Sequence, residues 1–536
     1  MPLSFEIYDR GRRLTEYLVR AAYVVGPEST PTPGRVTFSD GLLRVDAGGE
    51  LDSGRGIGYA DPDDSNAYAE HPSPTAAGVS LLWNSGRGEY QLETTRLPPR
   101  EAPYILNVEL ARHRLMRLMQ KQEDWNLWEV QAAQGAVQQA RQALQVFADA
   151  LSHLHEPAEA AGKADEALDL ALQAGEALAI VHADMLLSRR RRAGLPRTLF
   201  GIRASSSVDA PRNAGYRTAL ARGFDCVSVP MAWRQMQPDE EIFDTAGVDA
   251  AVEFLARNKV PMVAGPLIDL GGGEVPEWLF IYEHDFETLR DLAFEFVKCA
   301  VTRYRKVIKL WNVVAGLHSA GNFGLTFEQM IELTRLLVGQ VKAVLPAAKT
   351  LVTVRQPFGE YLADSVDSSG TGTSGVPPML YVEMVSQSGV QVDGFGVELV
   401  MGVPKRGRYV RDLFQISAML DRFASLGKPL FITAVACPDR AEAGASLSGR
   451  LAPSEAGRWR EPWSPRVQAD WLREVTKLAF SKPYVENVAW ASLADVDPCV
   501  VPGCGLLDDS LQPKPAYEAI TDLRNRLRPS LRPLKG

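Results

Sequence analysis

The segment that decides the fold is Arg305 to His318, which reads Arg-Lys-Val-Ile-Lys-Leu-Trp-Asn-Val-Val-Ala-Gly-Leu-His. Its apolar, β-branched run Val307–Leu310 predicts a buried strand. A helical pattern follows over Thr326–Leu337 and opens with a threonine N-cap. Residues 311–320 are therefore predicted to form a strand-to-helix loop, and such loops lie at the catalytic end of a parallel α/β barrel.

The same alternation of strand and helix continues through the chain from about residue 198. Eight units over about 330 residues predict an α/β protein whose segment 196–536 is a (β/α)8 TIM barrel. The predicted strands are Leu199–Arg203, Cys226–Val229, Val260–Ala264, Val307–Leu310, Thr350–Val354, Gly394–Val400, Pro429–Thr433 and Asn487–Ser492.

The segment before the barrel begins with a β-rich region. Residues 1–105 hold short alternating runs between Gly, Pro, Asp and Ser clusters, which predicts a small antiparallel domain of sandwich type. Two aromatic residues there, Trp83 and Tyr90, have two interpretations. They either pack in the domain core or form a platform for a sugar.

A helical segment connects this region to the barrel. Residues 106–195 are rich in Ala, Leu, Gln and Glu with apolar positions at helical spacing, which predicts two or three long helices. Pro157 is expected to start a new helix. The helices of 106–193 either pack on their neighbours as a hairpin or form a coiled-coil contact in a homo-oligomer.

Composition narrows the class of protein. The chain has 536 residues, of which 46% are hydrophobic and 23% charged, and its net charge is −8. These values are ordinary for a globular protein and argue against general affinity for nucleic acid or a membrane surface. The sequence contains no obvious membrane span or signal peptide, so a cytoplasmic location is expected. The scattered cysteines predict reduced thiols, although Cys499 and Cys504 are close enough in sequence to bridge.

The deciding stretch resembles the acid/base strand of glycoside hydrolase family 10, the xylanase family. That family reads Trp-Asp-Val-Val-Asn-Glu where this chain reads Trp311-Asn-Val-Val-Ala-Gly316. The resemblance extends over about residues 198–525 and implies the family's barrel and O-glycosyl hydrolase ancestry. Six further blocks resemble the family in the same order along the chain, at 224–244, 260–279, 303–304, 392–398, 431–433 and 506–520.

The catalytic residues that this resemblance implies are absent. The position of the proton-donating glutamate holds Gly316, and that of the nucleophile holds Ala434. A retaining glycosidase needs two carboxyl groups about 5–5.5 Å apart, and neither residue can supply one. We therefore expect a non-hydrolytic relative, without cofactor or metal, that binds a β-1,4-linked glycan or serves as a scaffold.

An active hydrolase with relocated acids is the alternative. Glu398, at the end of the sixth predicted strand, could pair with Asp269 or Asp495. The competing interpretation makes these carboxylates solvated acids of the loops or partners of arginines at the barrel mouth, such as Arg234 or Arg355.

Four further residues are candidates for contact with a substrate. Trp490, Trp233 and Trp278 could stack on the apolar faces of a sugar, or they could belong to the core. His318 follows the fourth predicted strand, where an acid/base group could reach the substrate, but a histidine in a loop is more often simply exposed.

Overall fold

The N-terminal region forms two main β-sheets. The computed structural model describes residues 3–47, 76–194, 198–205, 213–364, 375–441, 455–496 and 501–527. The sheets contact each other through β4 against β6 and β7, which agrees with a sandwich. The strands are β1 (Leu3–Glu6), β2 (Tyr8–Asp9), β3 (Arg12–Arg13), β4 (Tyr23–Val25), β5 (Pro31–Thr32), β6 (Gly34–Ser39), β7 (Leu42–Ala47), β8 (Gly78–Ser85), β9 (Gly88–Glu93) and β10 (Tyr104–Ile105).

Three helices follow: α1 (Leu106–Asp124), α2 (Gln134–Ser152) and α3 (Pro157–Arg192). The predicted start at Pro157 is confirmed, since a proline fits the first turn of a helix, where its missing N–H has no partner to lose. Helix α3 packs on α1 and α2 as a hairpin. It is long and apolar enough to cross a membrane by composition alone, contrary to expectation, but 56% of the qualifying window is buried inside the protein.

A closed barrel of eight parallel strands makes up the rest, as predicted. Strand β13 pairs with both β12 and β15, which closes the ring, and the short β14 extends β13. The strands are β11 (Leu199–Arg203), β12 (Cys226–Val229), β13 (Met262–Ala264), β14 (Ile268–Asp269), β15 (Leu310–Ala315), β16 (Lys349–Val354), β17 (Gly394–Val400), β18 (Leu430–Ala436) and, after an outlying strand, β20 (Val485–Trp490).

Helices on the outside of the barrel cover these strands. Helix α8 opens with the predicted Thr326 cap, whose side chain accepts from the backbone N–H of Gln329 in a capping box. The helices are α4 (Ala214–Gly223), α5 (Trp233–Met236), α6 (Ala246–Arg257), α7 (Phe286–Tyr304), α8 (Phe327–Val344), α9 (Pro378–Gln387), α10 (Leu413–Ala424), α11 (Pro465–Ser481) and α12 (Pro515–Leu527).

The predicted bounds of the fourth barrel strand were wrong. Strand β15 spans Leu310–Ala315, and Val307 and Ile308 instead turn out of α7 by donating to the carbonyl of Tyr304. The polar residue Asn312, which the prediction placed in the following loop, lies inside the strand, where its Oδ1 accepts from Thr353 Oγ1 at 2.9 Å. A buried polar side chain is tolerated when it is hydrogen-bonded.

A strand that was not predicted connects the barrel segment to an N-terminal sheet. The outlying strand β19 (Arg458–Trp459) belongs to the barrel segment, yet it pairs antiparallel with β9 at the edge of the N-terminal five-stranded sheet. Nearby, the buried Arg411 forms an ion pair with Glu360 and donates to Tyr23 Oη at 3.1 Å. Buried polar contacts therefore join the two regions.

The structure also tests the predictions for two aromatic residues and for the cysteines. Trp83 and Tyr90 are buried, which confirms their role in the core. Cys504 is disulfide-bonded, so the expectation of reduced thiols was wrong there. Cys226, Cys299 and Cys437 are reduced thiols, and Cys499 lies outside the described residues.

Candidate functional site at the barrel mouth

A cavity of about 860 Å³ opens at the C-terminal ends of the barrel strands. This is the end at which TIM-barrel enzymes place their active sites. Gly316 and Ala434, which stand at the two catalytic positions implied by the resemblance, both line the cavity. Arg355 and Glu398 line it as well.

The backbone of Gly316 departs from β geometry immediately after β15. Its φ of +67° lies in the left-handed region, and it caps the short 3-10 helix Leu317–Ser319. A Cβ added to Gly316 would lie only 2.9 Å from Cδ of Arg355. A glutamate at this position would therefore be strained and would collide with Arg355.

Arg355, just beyond the end of β16, occupies the space beside Gly316. Its guanidinium forms an ion pair with Asp269 and donates from Nε to Glu398 Oε1 at 3.2 Å. Burial alone would lower the pKa of Arg355, but Glu398 and Asp269 outweigh burial and raise it. The cation is therefore permanently charged and bound to both carboxylates.

Asp269 is buried and is held in its ion pair with Arg355. Its side chain is 3% exposed, and Oδ1 accepts from the backbone N–H of Gly271 at 3.0 Å. Burial raises its pKa to about 6, against the opposing effect of Arg355. Asp269 and Glu398, the proposed relocated pair, are thus brought together, but they meet through one arginine. This arrangement is the one expected if the carboxylates serve as partners of a mouth arginine.

Ala434 lies beside Glu398 on the neighbouring strand of the barrel. The two residues are paired in the register of β17 and β18. Its methyl group leaves open the space at the nucleophile position, and no carboxylate comes from this point of the strand. The third carboxylate candidate, Asp495, forms an ion pair with Lys514 at 3.0 Å and accepts from the backbone N–H of Gly505.

His318 lies beneath the cavity, so the expectation of an exposed loop histidine was wrong. Its side chain is fully buried, and Nε2 is hydrogen-bonded to the carbonyl of Arg355 at 2.9 Å. The ring stacks on Tyr381 and meets Tyr361 edge-on. Burial lowers the pKa of His318 to about 4. A neutral histidine that positions the Arg355 backbone fits this environment.

The three candidate tryptophans do not line the cavity. Trp490 is buried and donates to the carbonyl of Cys504 at 2.7 Å. Trp233 is buried against Phe296, and the partly buried Trp278 meets it edge-on. In this structure all three serve packing, because no face of theirs is presented to a ligand in the cavity.

Sequence reasoning missed the basic character of the mouth. Arg203, Lys405 and Arg408 line the cavity together with Arg234 and Arg355. Two signals were present in the sequence. Arg203 ends the first predicted strand, and Lys405-Arg-Gly-Arg408 follows the sixth, so both are placed where the strand ends converge. Among the described residues, no group of three or more potential metal ligands comes together.

Comparison with known proteins supports the resemblance at low identity. No family model matches the chain. An endo-1,4-β-xylanase B from Thermotoga neapolitana is 22% identical over 300 residues, which are 55% of this chain and 78% of that protein. This match agrees with the motifs that predicted a relationship to the family 10 xylanases.

Solved structures of xylanases are similar to part of this chain. The xylanase 10B of Thermotoga petrophila, solved in complex with xylobiose, is 18% identical, with 62% of this chain and 95% of that chain covered and a TM-score of 0.45. The native xylanase 10B of Thermotoga maritima is 19% identical, with 62% and 97% covered and a TM-score of 0.44.

Proposed function

We propose that this chain, a distant homologue of the family 10 endo-xylanases, binds a β-linked glycan at the barrel mouth without hydrolysing it. The observation that carries the proposal is the position of Arg355. It fills the space beside Gly316 and binds both Asp269 and Glu398. The space of the missing acid/base is thus taken by a permanent cation.

Hydrolysis requires chemistry that these groups do not supply. One carboxyl group must be protonated to assist the leaving group, and a second must attack the sugar or activate water. General acid catalysis alone contributes roughly 10²–10⁴ in rate. Asp269 is too buried to reach a ligand, and Glu398 accepts a hydrogen bond from Arg355. The geometry therefore argues against the relocated pair.

An open cavity favours binding over a purely structural role. Among the described residues, those that line it all belong to the barrel segment, and none comes from the N-terminal sheets or from helices α1 to α3. The described parts of the two added regions thus do not close the mouth. The xylanase of Thermotoga petrophila was solved with xylobiose, which makes a β-linked sugar the first ligand class to examine.

A scaffold is the second candidate, and one observation favours it. Strand β19 and the buried pair Arg411–Glu360 fix the N-terminal sheets to the barrel. Such rigid attachment is what a protein needs in order to hold partners at a set distance. A scaffold would not require an accessible mouth, so a binding measurement separates the two functions.

The test combines hydrolysis and binding on the purified full chain. Xylohexaose is incubated with the protein, products are analysed by chromatography, and binding is measured by calorimetry. We expect binding without shorter products. Ala434→Trp, which fills the cavity, should abolish binding. Ala343→Trp, on the exposed surface of α8, should leave it unchanged.

Two outcomes would contradict the proposal. Release of shorter oligosaccharides that Glu398→Gln abolishes would make the chain a hydrolase with a relocated acid. The absence of binding across a glycan array, with the protein folded, would leave the scaffold as the function.

A further inference from the structure

The barrel mouth carries a charge opposite to that of the whole chain. The net charge of the protein is −8, but among the described residues five basic and two acidic side chains line the cavity. A concave site lined mainly by one sign of charge attracts ligands of the other sign. The basic residues are Arg203, Arg234, Arg355, Lys405 and Arg408, and the acidic ones are Glu274 and Glu398.

Two of the five cations are already bound to carboxylates. Arg355 is held by Asp269 and Glu398, and Arg234 pairs with Glu277 at 2.9 Å. The other three are Arg203, which ends the first barrel strand, and Lys405 and Arg408, which lie in the loop after the sixth. In the part of the chain that the structure describes, none of these three side chains has a hydrogen-bond or ion-pair partner.

Arg408 is the most informative of the three. Its side chain is partly buried, and its Nη1 atom is fully buried without a hydrogen-bond partner. Burial lowers the pKa of this guanidinium, Glu398 opposes that effect and Arg355 adds to it. A buried N–H group without an acceptor is costly, so few remain in folded proteins unless another group satisfies them.

The unsatisfied donors define the ligand group that fits. The planar guanidinium matches the two oxygens of an oxyanion, and charge-assisted hydrogen bonds of this kind are roughly twice as strong as neutral ones. A neutral sugar is usually held by stacking on aromatic rings. The described lining of this cavity includes no aromatic side chain, so recognition here has to come from polar and charged groups.

We infer that the mouth selects an acidic oligosaccharide, a sugar chain carrying carboxylate or sulfate groups, through Arg203, Lys405 and Arg408. This inference rests on the proposed glycan-binding function and specifies its ligand. The cavity of about 860 Å³ has room for several sugar units. Arg355 keeps its carboxylate partners, so the oxyanion is bound by the three free cations.

The experiment compares three hexasaccharides on the full chain by calorimetry. They are neutral xylohexaose, carboxylate-bearing hexagalacturonate and a sulfated, carboxylate-free carrageenan hexasaccharide. At low ionic strength, we expect at least one acidic sugar to bind roughly tenfold more tightly than xylohexaose, as a charge-assisted contact would give. Raising the salt concentration from about 50 to about 300 mM should reduce this preference by screening. The acidic sugar that binds more tightly shows whether the site prefers a carboxylate or a sulfate group.

Single substitutions assign the contact. Arg408→Gln and Arg203→Gln should each weaken acidic binding by about five- to tenfold, and the preference for the acidic sugar over xylohexaose should fall by a similar factor. Arg335→Gln, which removes an exposed charge on α8, is the matched control and should change neither. Because Arg408 Nη1 has no partner in the fold, Arg408→Gln should not lower the melting temperature.

The possible failures are distinguishable. Xylohexaose binding without a preference for acidic sugars would overturn this inference and leave glycan binding intact. Acidic binding that is insensitive to Arg408→Gln and Arg203→Gln would place the contact elsewhere and would also overturn it. If none of the three sugars binds, the proposed function fails together with the inference.

Discussion

At the scale of single residues, the geometry of Gly316 and Arg355 leads us to expect that placing glutamates at positions 316 and 434 does not produce hydrolysis. Gly316 adopts φ of +67°, and a side chain there meets Arg355. A glutamate would therefore be strained by at least about 1 kcal/mol. It would also face a guanidinium, which holds a carboxyl group in its charged form rather than as a proton donor.

The first prediction concerns Gly316→Glu combined with Ala434→Glu. We expect no release of sugar from xylohexaose above the wild-type background, and a melting temperature below that of wild type. Gly339→Glu is the matched control, because a Cβ at Gly339 meets no atom within 4 Å. It should not destabilise the protein. Appearance of hydrolysis in the double variant would show that Arg355 does not block the site.

Asp165 gives a second prediction at this scale. It accepts two hydrogen bonds from Asn107 Nδ2, at 2.9 and 3.0 Å, yet burial raises its pKa to about 7, with Asp169 and Asp9 adding to the effect. The folded state therefore keeps a proton that the unfolded state has already released. Between about pH 4 and pH 7 the unfolding free energy should fall, at most by about 1.4 kcal/mol per pH unit from this group.

Asp165→Asn should remove this contribution. Denaturant unfolding across pH 4 to about pH 8 should show that the variant gains stability relative to wild type as pH rises through the folded pKa. Glu166→Gln, at an exposed position next to it, should leave the pH profile unchanged. A parallel profile for Asp165→Asn and wild type would contradict the assignment.

At the scale of elements, strand β19 is held in place by one carboxylate on α3. Glu176 accepts from Trp459 Nε1 at 2.7 Å, from Arg460 Nε at 2.9 Å and from the backbone N–H of Leu413 at 3.2 Å. Burial raises its pKa, and Arg460 opposes that effect. One side chain thereby joins the helical hairpin, the outlying strand and the start of α10.

The third prediction is that Glu176→Gln destabilises the protein by about 2–4 kcal/mol, because the variant loses charge-assisted bonds in a buried setting. Denaturant unfolding measures the change. Glu166→Gln, on the exposed face of the same helix, should cost less than about 0.5 kcal/mol. An equal effect of both variants would show that Glu176 does not anchor β19.

The sequence predicted elements better than the details of the site. Eight parallel strands and the helix start at Pro157 follow from local periodicity, and both are present. The fourth strand was misplaced because its prediction rested on the apolar run Val307–Leu310. The strand in fact includes the polar Asn312, whose side chain accepts from Thr353 on the neighbouring strand. Strand β19 could not be predicted, since two residues, Arg458–Trp459, carry no periodic signal and their partner lies in another region.

For the candidate site as well, the sequence located residues along the chain but did not reveal how they pack. Gly316 and Ala434 were located in the mouth by alignment of motifs alone. The burial of Trp490 and His318 was not evident, because exposure of a loop side chain depends on what packs above it. The unpaired state of Arg408 depends on which carboxylates its neighbours already hold, and only the three-dimensional arrangement contains that information.

At the scale of the whole molecule, buried polar contacts join the sheets, the hairpin and the barrel. Arg114 on α1 pairs with Asp412 at 2.9 Å, and both side chains are at most 5% exposed. Arg411 binds Glu360 and Tyr23 in the same region. Breaking such a buried pair by separating its partners would leave uncompensated charges.

The fourth prediction follows from this coupling. Calorimetry of the full chain should show a single unfolding transition, and Glu176→Gln should shift that whole transition downward. A chain truncated to 196–536 should aggregate or unfold at a lower temperature, because β19 loses its partner β9. Two separate transitions, with only one of them moved by Glu176→Gln, would show that the regions fold independently.

The pairing of β19 with β9 has a consequence for biosynthesis. Arg460, beside β19, bonds to Tyr90 Oη across 370 residues of sequence. At about 5–20 residues per second, the ribosome needs roughly 20–70 s to make that interval. Throughout this time the edge of β9 on the nascent chain lacks its neighbouring strand. The five-stranded N-terminal sheet is therefore completed only after most of the barrel has been translated, and until then its edge is open to pairing with other chains.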